Sequence, residues 1–186
     1  MKKYELTDET IEVYGTALHR IKALKDFGNV KKGELGGYVE SERNLSQEGN
    51  CWVYGNAWVY GNALVCGNAL VYGNARVCGD ALVCGNARVC SDALVYGNAR
   101  VCGDEDYAYA HGFGSVNRTT TFFRLKDGGV GVRCGCFYGT LAQFRDKIRE
   151  THGETKKAQE YLMLADLMEL RFEEDENEVG NRKYVE

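Results

Sequence analysis

The chain has 186 residues, of which 44% are hydrophobic and 27% charged, a composition typical of a globular protein large enough to bury a core. Its formal net charge of −4 does not favour general binding to nucleic acid or to anionic membranes. No apolar run approaches the roughly 20 residues of a membrane-spanning helix, and no apolar segment follows the basic N-terminus as it would in a signal peptide. We therefore expect a cytoplasmic protein whose eight cysteines are free structural thiols.

Residues 1–50 precede the regular part of the chain and are expected to form a β leader or cap. Leu18 to Leu24 alternates partly like a strand, and Gly36 and Gly37 mark a bend. Val39 and Leu45 are six residues apart, which is the spacing of the repeat that follows.

A six-residue repeat fills residues 51–104. Valine recurs every six residues from Val53 to Val101, and alanine stands two positions before each valine after the first. Residues two apart point to the same side of a strand, and the Gly-Asn or Gly-Asp pairs between units favour a bend. Units this short cannot bury a core alone and must stack as a solenoid. The C-x5-C spacing of the cysteines belongs to this repeat and does not indicate a metal site.

The repeat resembles the hexapeptide repeat of left-handed parallel β-helices, in which three hexads form one triangular coil. The nine hexads from Trp52 to Asp104 then imply about three coils. The glycine lies one residue later than is usual in those proteins. Leu18 to Asp104 is also similar to a group of bacterial and phage proteins labelled polymer-forming or acyltransferase-like. The hairpin and helical region that follows Asp104 also resembles the C-terminal region of phage or prophage hexapeptide proteins, which implies a phage or prophage origin.

Three hexads per coil place equivalent residues 18 apart in columns on three outward faces. One such column holds the thiols of Cys66, Cys84 and Cys102. Most outward residues are apolar or aromatic, so they are expected to be covered by the appendages or to form contacts in a homo-oligomer. Stacking of the rings within their own columns is the alternative. The candidate interface residues are Trp52, Tyr54, Trp58, Tyr60, Leu64, Tyr72, Leu82 and Tyr96.

Residues 105–139 are predicted to contain a β-hairpin whose two-residue loop is Asp127-Gly128. This loop would pair Leu125 with Val130 and would place one face of the hairpin in the core. The other face would carry three guanidinium groups beside aromatic rings, which suits a phosphate, a nucleotide or an acidic peptide. Cover by the following helix is the competing interpretation. The candidate ligand-binding residues are Arg118, Arg124, Arg133, Phe122 and His111.

Residues 140–172 are predicted to form two helices. Thr140 with Gln143, and Thr151 with Glu154, are capping-box patterns at their starts. Residues 173–186 form an acidic tail that we expect to fray. The second helix carries an apolar stripe typical of a core or an interface: Ala158, Tyr161, Leu162, Ala165, Met168 and Phe172.

The resemblance to left-handed β-helices also implies an enzymatic alternative, because the acyltransferases among them are trimers that bind acyl-CoA and use a histidine base. Only His111 lies near the last coil, and no loop interrupts the repeat to build a substrate pocket. We therefore predict no catalytic residue, cofactor or metal. The predicted function is non-enzymatic sequestration or blocking of a host protein or nucleotide-like ligand, acting as counter-defence. A structural scaffold and a trimeric acyltransferase remain the alternatives.

Overall fold

The computed structural model describes residues 2–114 and 116–173. The chain begins with an antiparallel hairpin, followed by a third strand that joins the first face of the solenoid. These strands are β1 (Tyr4–Val13), β2 (Thr16–Ala23) and β3 (Leu35–Val39). Among the described residues, no helix is long and apolar enough to cross a membrane.

The solenoid consists of parallel two-residue strands, and each pairs with the strand one coil away. Val39 and Leu45 add a first coil, because they lie opposite Val59 and Val65. The solenoid therefore has about four turns, one more than the regular hexads predict, and the predicted parallel β-helix is confirmed. Its regular strands are β4 (Trp52–Val53), β5 (Trp58–Val59), β6 (Leu64–Val65), β7 (Leu70–Val71), β8 (Arg76–Val77), β9 (Leu82–Val83), β10 (Arg88–Val89), β11 (Leu94–Val95) and β12 (Arg100–Val101).

The alanine and the valine of every hexad point inward, and each is at most 2% exposed. The corner glycines from Gly55 to Gly97 take positive φ, as the Gly-Asn pattern predicts, whereas Gly103 at the end of the repeat is extended. Ser91 replaces one of them and adopts the same conformation, with φ +60°. Its hydroxyl lies 2.8 Å from the hydroxyl of Tyr109, which holds this irregular corner against the next part of the chain.

One predicted thiol state is wrong. The sulfur atoms of Cys84 and Cys102 are bonded to each other, whereas the sequence predicted free thiols throughout. Stacking in successive coils brings their Cα atoms to 4.4 Å, which is within the range that a disulfide spans. Cys66, in the preceding coil of the same column, keeps a free thiol.

The C-terminal cap is a four-stranded antiparallel sheet covered by two helices. Phe123 points toward the solenoid core, whereas Phe122 points toward the helices. The backbone N–H of Leu94 donates to Thr121 Oγ1 at 2.9 Å, which ties the sheet to the last coil. The elements are β13 (Tyr107–Phe113), β14 (Arg118–Arg124), β15 (Val130–Cys134), β16 (Phe137–Thr140), α1 (Leu141–His152) and α2 (Lys156–Phe172).

One of the two predicted helix starts is confirmed, and the other is wrong. Thr140 caps α1 as predicted, and its side chain accepts from the N–H of Gln143. The predicted cap at Thr151 is wrong, because α1 continues through His152 and ends at Gly153. Thr155 caps α2 instead.

The predicted hairpin loop is also wrong. The N–H of Leu125 donates to the carbonyl of Gly129 at 2.8 Å, so the loop has three residues and ends in Gly128 with φ +88°. Phe122, not Phe123, is therefore opposite Val132. Because a shift of one residue turns every side chain of a strand to the other face, Arg133 lies on the solenoid side, whereas Phe122 lies on the helix side.

Candidate ligand-binding cleft

A cleft of about 270 Å³ lies between the cap sheet and the helices. This volume is close to the lower end of the range for small-molecule pockets. Strands β14 and β15 supply one side, and α1 and α2 supply the other. We call it the sheet–helix cleft, and the residues that define it are Arg118, Cys134, Phe144, Lys147, His152 and Tyr161.

The wall of the sheet–helix cleft is aromatic. Phe144 is buried and meets Tyr161 edge-on, with ring centroids 5.8 Å apart. His152, at the end of α1, stacks on the other side of Tyr161 at 5.9 Å. A flat apolar group of a ligand can therefore contact rings that the core already holds in place.

The polar groups deep in the cleft have partners within the fold. Tyr161 donates a hydrogen bond to the carbonyl of Phe113 at 3.2 Å, and burial raises the pKa of Tyr161 to about 12. Its hydroxyl therefore stays protonated at neutral pH. Thr120 Oγ1 donates to Cys134 Sγ at 3.1 Å, so this thiol also has a partner within the fold.

The cationic groups lie at the mouth of the cleft. The guanidinium group of Arg118 makes no hydrogen bond or ion pair with any other residue that the structure describes. Lys147 pairs with Glu150 at 2.8 Å, but both side chains are more than half exposed, so this pair contributes little and can reorganise. Two cations beside an aromatic wall favour a small ligand that has an anionic group and a flat apolar part.

Gly135 positions the arginine. It has φ +59°, and a Cβ atom at this position would collide with the guanidinium group of Arg118. The guanidinium group of Arg118 thus lies against the backbone of the β15–β16 turn, in space that only glycine leaves open.

The other predicted ligand-binding residues do not join Arg118. Arg124 is buried under α2, where it donates to the carbonyl of Phe172 at 3.2 Å, and Phe122 is fully buried. Arg133 lies over the ring of Tyr96 on the opposite side of the sheet, and His111 is hydrogen-bonded to Thr119. The single arginine face is therefore a wrong prediction, because it depended on the two-residue loop.

The predicted interface residues divide into covered and uncovered groups. Trp52 is fully buried beneath Tyr4 and Phe27, which is the cover by an appendage that the sequence offered as the alternative to an oligomer contact. Trp58 and Tyr60 contact the N-terminal hairpin, and Tyr96 is covered by Tyr138. The appendages thus cover much of two faces. The partly exposed residues are Tyr54, Leu64, Tyr72 and Leu82.

Sequence reasoning missed Lys147 and His152 as cleft residues. Their helical spacing does carry a signal, because Phe144, Lys147, Ile148, Thr151 and His152 recur three or four residues apart on one side of α1. In the part of the chain that the structure describes, no group of three or more His, Cys, Asp or Glu side chains is arranged to hold a metal ion.

Together these features define a hexapeptide-repeat β-helix protein with a ligand-sized cleft in its C-terminal cap. The family model described as YdcK beta solenoid repeat matches residues 63–79. The chain is also similar to a protein of Escherichia coli (strain K12) named uncharacterized acetyltransferase YdcK, at 40% identity over 62 residues. This match covers 29% of the chain and 19% of the relative, so the chain spans about a fifth of the length of that curated protein.

Proposed function

We propose that this protein is a non-enzymatic binder that sequesters a small anionic ligand in the sheet–helix cleft. The observation that carries the proposal is Arg118, a guanidinium without an ion pair among the described residues, held beside an aromatic wall. Preformed sites of this kind bind without large rearrangement, because their side chains are already ordered. The hydroxyl of Tyr161 is kept protonated by burial, so it can donate hydrogen bonds to a bound ligand.

Arg118→Ala is expected to weaken binding of AMP, used as an anionic aromatic probe, by about tenfold or more, since a hydrogen bond to a charged group contributes roughly 1.5–3 kcal/mol. Lys147→Ala is expected to weaken it less, because this lysine is exposed. Isothermal titration calorimetry measures both. Lys156→Ala, an exposed lysine outside the cleft, is the matched control and should leave affinity unchanged. Equal affinity of the wild type and Arg118→Ala would contradict the proposal.

Gly135→Ala provides a second test that leaves the arginine in the sequence. The added Cβ must displace the guanidinium group of Arg118, so AMP binding should fall about as far as in Arg118→Ala. Gly33→Ala is the control, because Gly33 also has positive φ but faces open space. A Gly135→Ala protein that is folded by circular dichroism and binds AMP normally would show that the position of Arg118 is irrelevant.

The finer proposal is that the ligand is a host molecule, withheld in the cytoplasm by a phage-encoded homo-oligomer as a counter-defence. It is supported by the partly exposed Leu64, Leu82, Tyr54 and Tyr72 on the outward faces, and by the resemblance to phage hexapeptide proteins. Native mass spectrometry of protein purified from a bacterial host tests it. A retained small molecule on an oligomer is expected, and a bare oligomer would favour a structural scaffold instead.

A trimeric acyltransferase is the second candidate, favoured by the name of the E. coli relative. The cleft, at about 270 Å³, is too small to enclose an extended CoA, which would have to bind between coils of neighbouring subunits instead. Titration with pantetheine and acetyl-pantetheine, which lack the nucleotide part of CoA, separates the two functions. The sequestration proposal predicts no binding of either, and saturable binding of acetyl-pantetheine would support the acyltransferase.

A further inference from the structure

A second groove, of about 300 Å³, lies where the solenoid meets the C-terminal cap. Solenoid strand β8 and the corners that precede β8 and β11 form one side, and the cap sheet forms the other. We call it the junction groove, and its defining residues are Asn74, Arg76, Asp92, Arg118 and Thr119. Arg118 thus borders both this groove and the sheet–helix cleft.

The two arginines of the junction groove come from different parts of the fold. The guanidinium of Arg76 lies over the ring of Trp58, 4.3 Å from its centroid, which fixes its plane. Like Arg118, it makes no hydrogen bond or ion pair with the residues the structure describes. Two guanidinium groups with unused donors on one groove favour a phosphate, since their planar forks match its oxygens.

The groove also has a polar edge that a bare phosphate would not use. Asn74 donates its side-chain amide to Asp92 at 3.0 Å, which leaves further lone pairs of the carboxylate for other donors. The hydroxyl of Thr119 is hydrogen-bonded to the exposed His111 at 2.8 Å. The two arginines outweigh the charge of this carboxylate, which can also accept hydrogen bonds from hydroxyl groups of a ligand.

We propose that the junction groove binds the phosphate and sugar hydroxyls of a nucleoside monophosphate, while the base occupies the sheet–helix cleft. The phosphate contacts Arg76 and Arg118, and Asp92 accepts from the sugar hydroxyls. This inference rests on the proposed function, because Arg118 is the residue that joins the two sites. It gives residues of the solenoid a role in ligand binding, whereas the sheet–helix cleft uses residues of the cap alone.

The test compares AMP, adenosine and ribose 5-phosphate by isothermal titration calorimetry. Arg76→Ala is expected to weaken AMP and ribose 5-phosphate about tenfold and to leave adenosine unchanged. Arg88→Ala is the matched control, because Arg88 occupies the same hexad position on another face and is exposed. Circular dichroism verifies that each variant is folded.

The outcomes separate this inference from the proposed function. If Arg118→Ala weakens AMP but Arg76→Ala does not, the junction groove is overturned and the sheet–helix cleft stands. If Asp92→Ala leaves the affinity for AMP and for ribose 5-phosphate unchanged, the assignment of the sugar hydroxyls is overturned. If the wild type binds none of the three probes at millimolar concentration, both proposals fail for this class of ligand.

Discussion

Replacing Asp106 with alanine is expected to lower the free energy of unfolding by about 3–5 kcal/mol. Asp106 joins the last coil to the C-terminal cap. One carboxylate oxygen accepts from the backbone N–H groups of Cys102 and Gly103 at 2.8 and 3.1 Å, and the other lies 3.5 Å from Nε of Arg124. The side chains of the ion pair are only 12% and 8% exposed, so water cannot replace the lost carboxylate.

Urea denaturation followed by circular dichroism measures the loss, with the Cys84–Cys102 disulfide kept intact in all samples. Asp106→Asn should cost less, because its amide oxygen still accepts from a backbone N–H group. Glu105→Ala is the matched control: this neighbouring acidic residue is exposed, and its change should stay within about 0.5 kcal/mol. A loss below about 1 kcal/mol for Asp106→Ala would contradict the role of the ion pair.

Trp52→Ala is expected to destabilise the protein by about 3–5 kcal/mol, the usual cost of removing a buried aromatic side chain. Trp52 is fully buried at the N-terminal end of the solenoid. Tyr4 and Phe27 meet it edge-on, with ring centroids 6.1 and 5.3 Å away. Loss of the indole leaves a cavity between the N-terminal hairpin and the first regular coil.

Thermal and urea unfolding measure this loss of stability. Two further variants test whether the loss comes from the buried side chain of Trp52. Trp52→Phe should cost clearly less than Trp52→Ala, since the indole N–H has no hydrogen-bond partner within the described residues and its loss breaks none. Tyr72→Ala, one coil farther on the same face and 37% exposed, should cost far less. Similar losses for Trp52→Ala and Tyr72→Ala would mean that the N-terminal end is not closed by this contact.

The repeat was predictable because its information is local. Each alanine–valine pair and each corner glycine follows from six residues, and stacking repeats the same contacts. The first coil was less predictable, since two extra residues between Leu45 and Val53 interrupt the period. The six-residue spacing from Val39 to Leu45 was visible in the sequence, but the residues opposite which they lie, Val59 and Val65, were not.

The hairpin register could not be obtained from its own residues. Asp127-Gly128-Gly129 is compatible with loops of two or three residues, whose energies differ little. The choice is made by contacts with distant parts of the chain: Phe123 joins the solenoid core, and Phe122 meets Phe144 of α1. This tertiary choice decided which arginines share a face.

Of the residues that define the sheet–helix cleft, the sequence predicted one, Arg118, as ligand-binding. The other groups of the cleft come from separate elements: Cys134 from β15, Lys147 and His152 from α1, and Tyr161 from α2. No spacing in the sequence reports that these elements meet. Tyr161 was predicted as part of an apolar stripe, which is confirmed, but its hydroxyl at the cleft depends on the fold.

Closure of the solenoid at both ends gives the molecule a fixed length that can be changed in whole steps. Lys3, Tyr4 and Phe27 cover one end of the solenoid core, and the cap sheet covers the other. A tandem duplication of one 18-residue coil would move the two caps apart by about 4.8 Å, the spacing of neighbouring strands. Made before β5, such a duplication leaves Arg76 and the cap unaltered, so the length of the molecule can change while the residues of the proposed sites keep their neighbours.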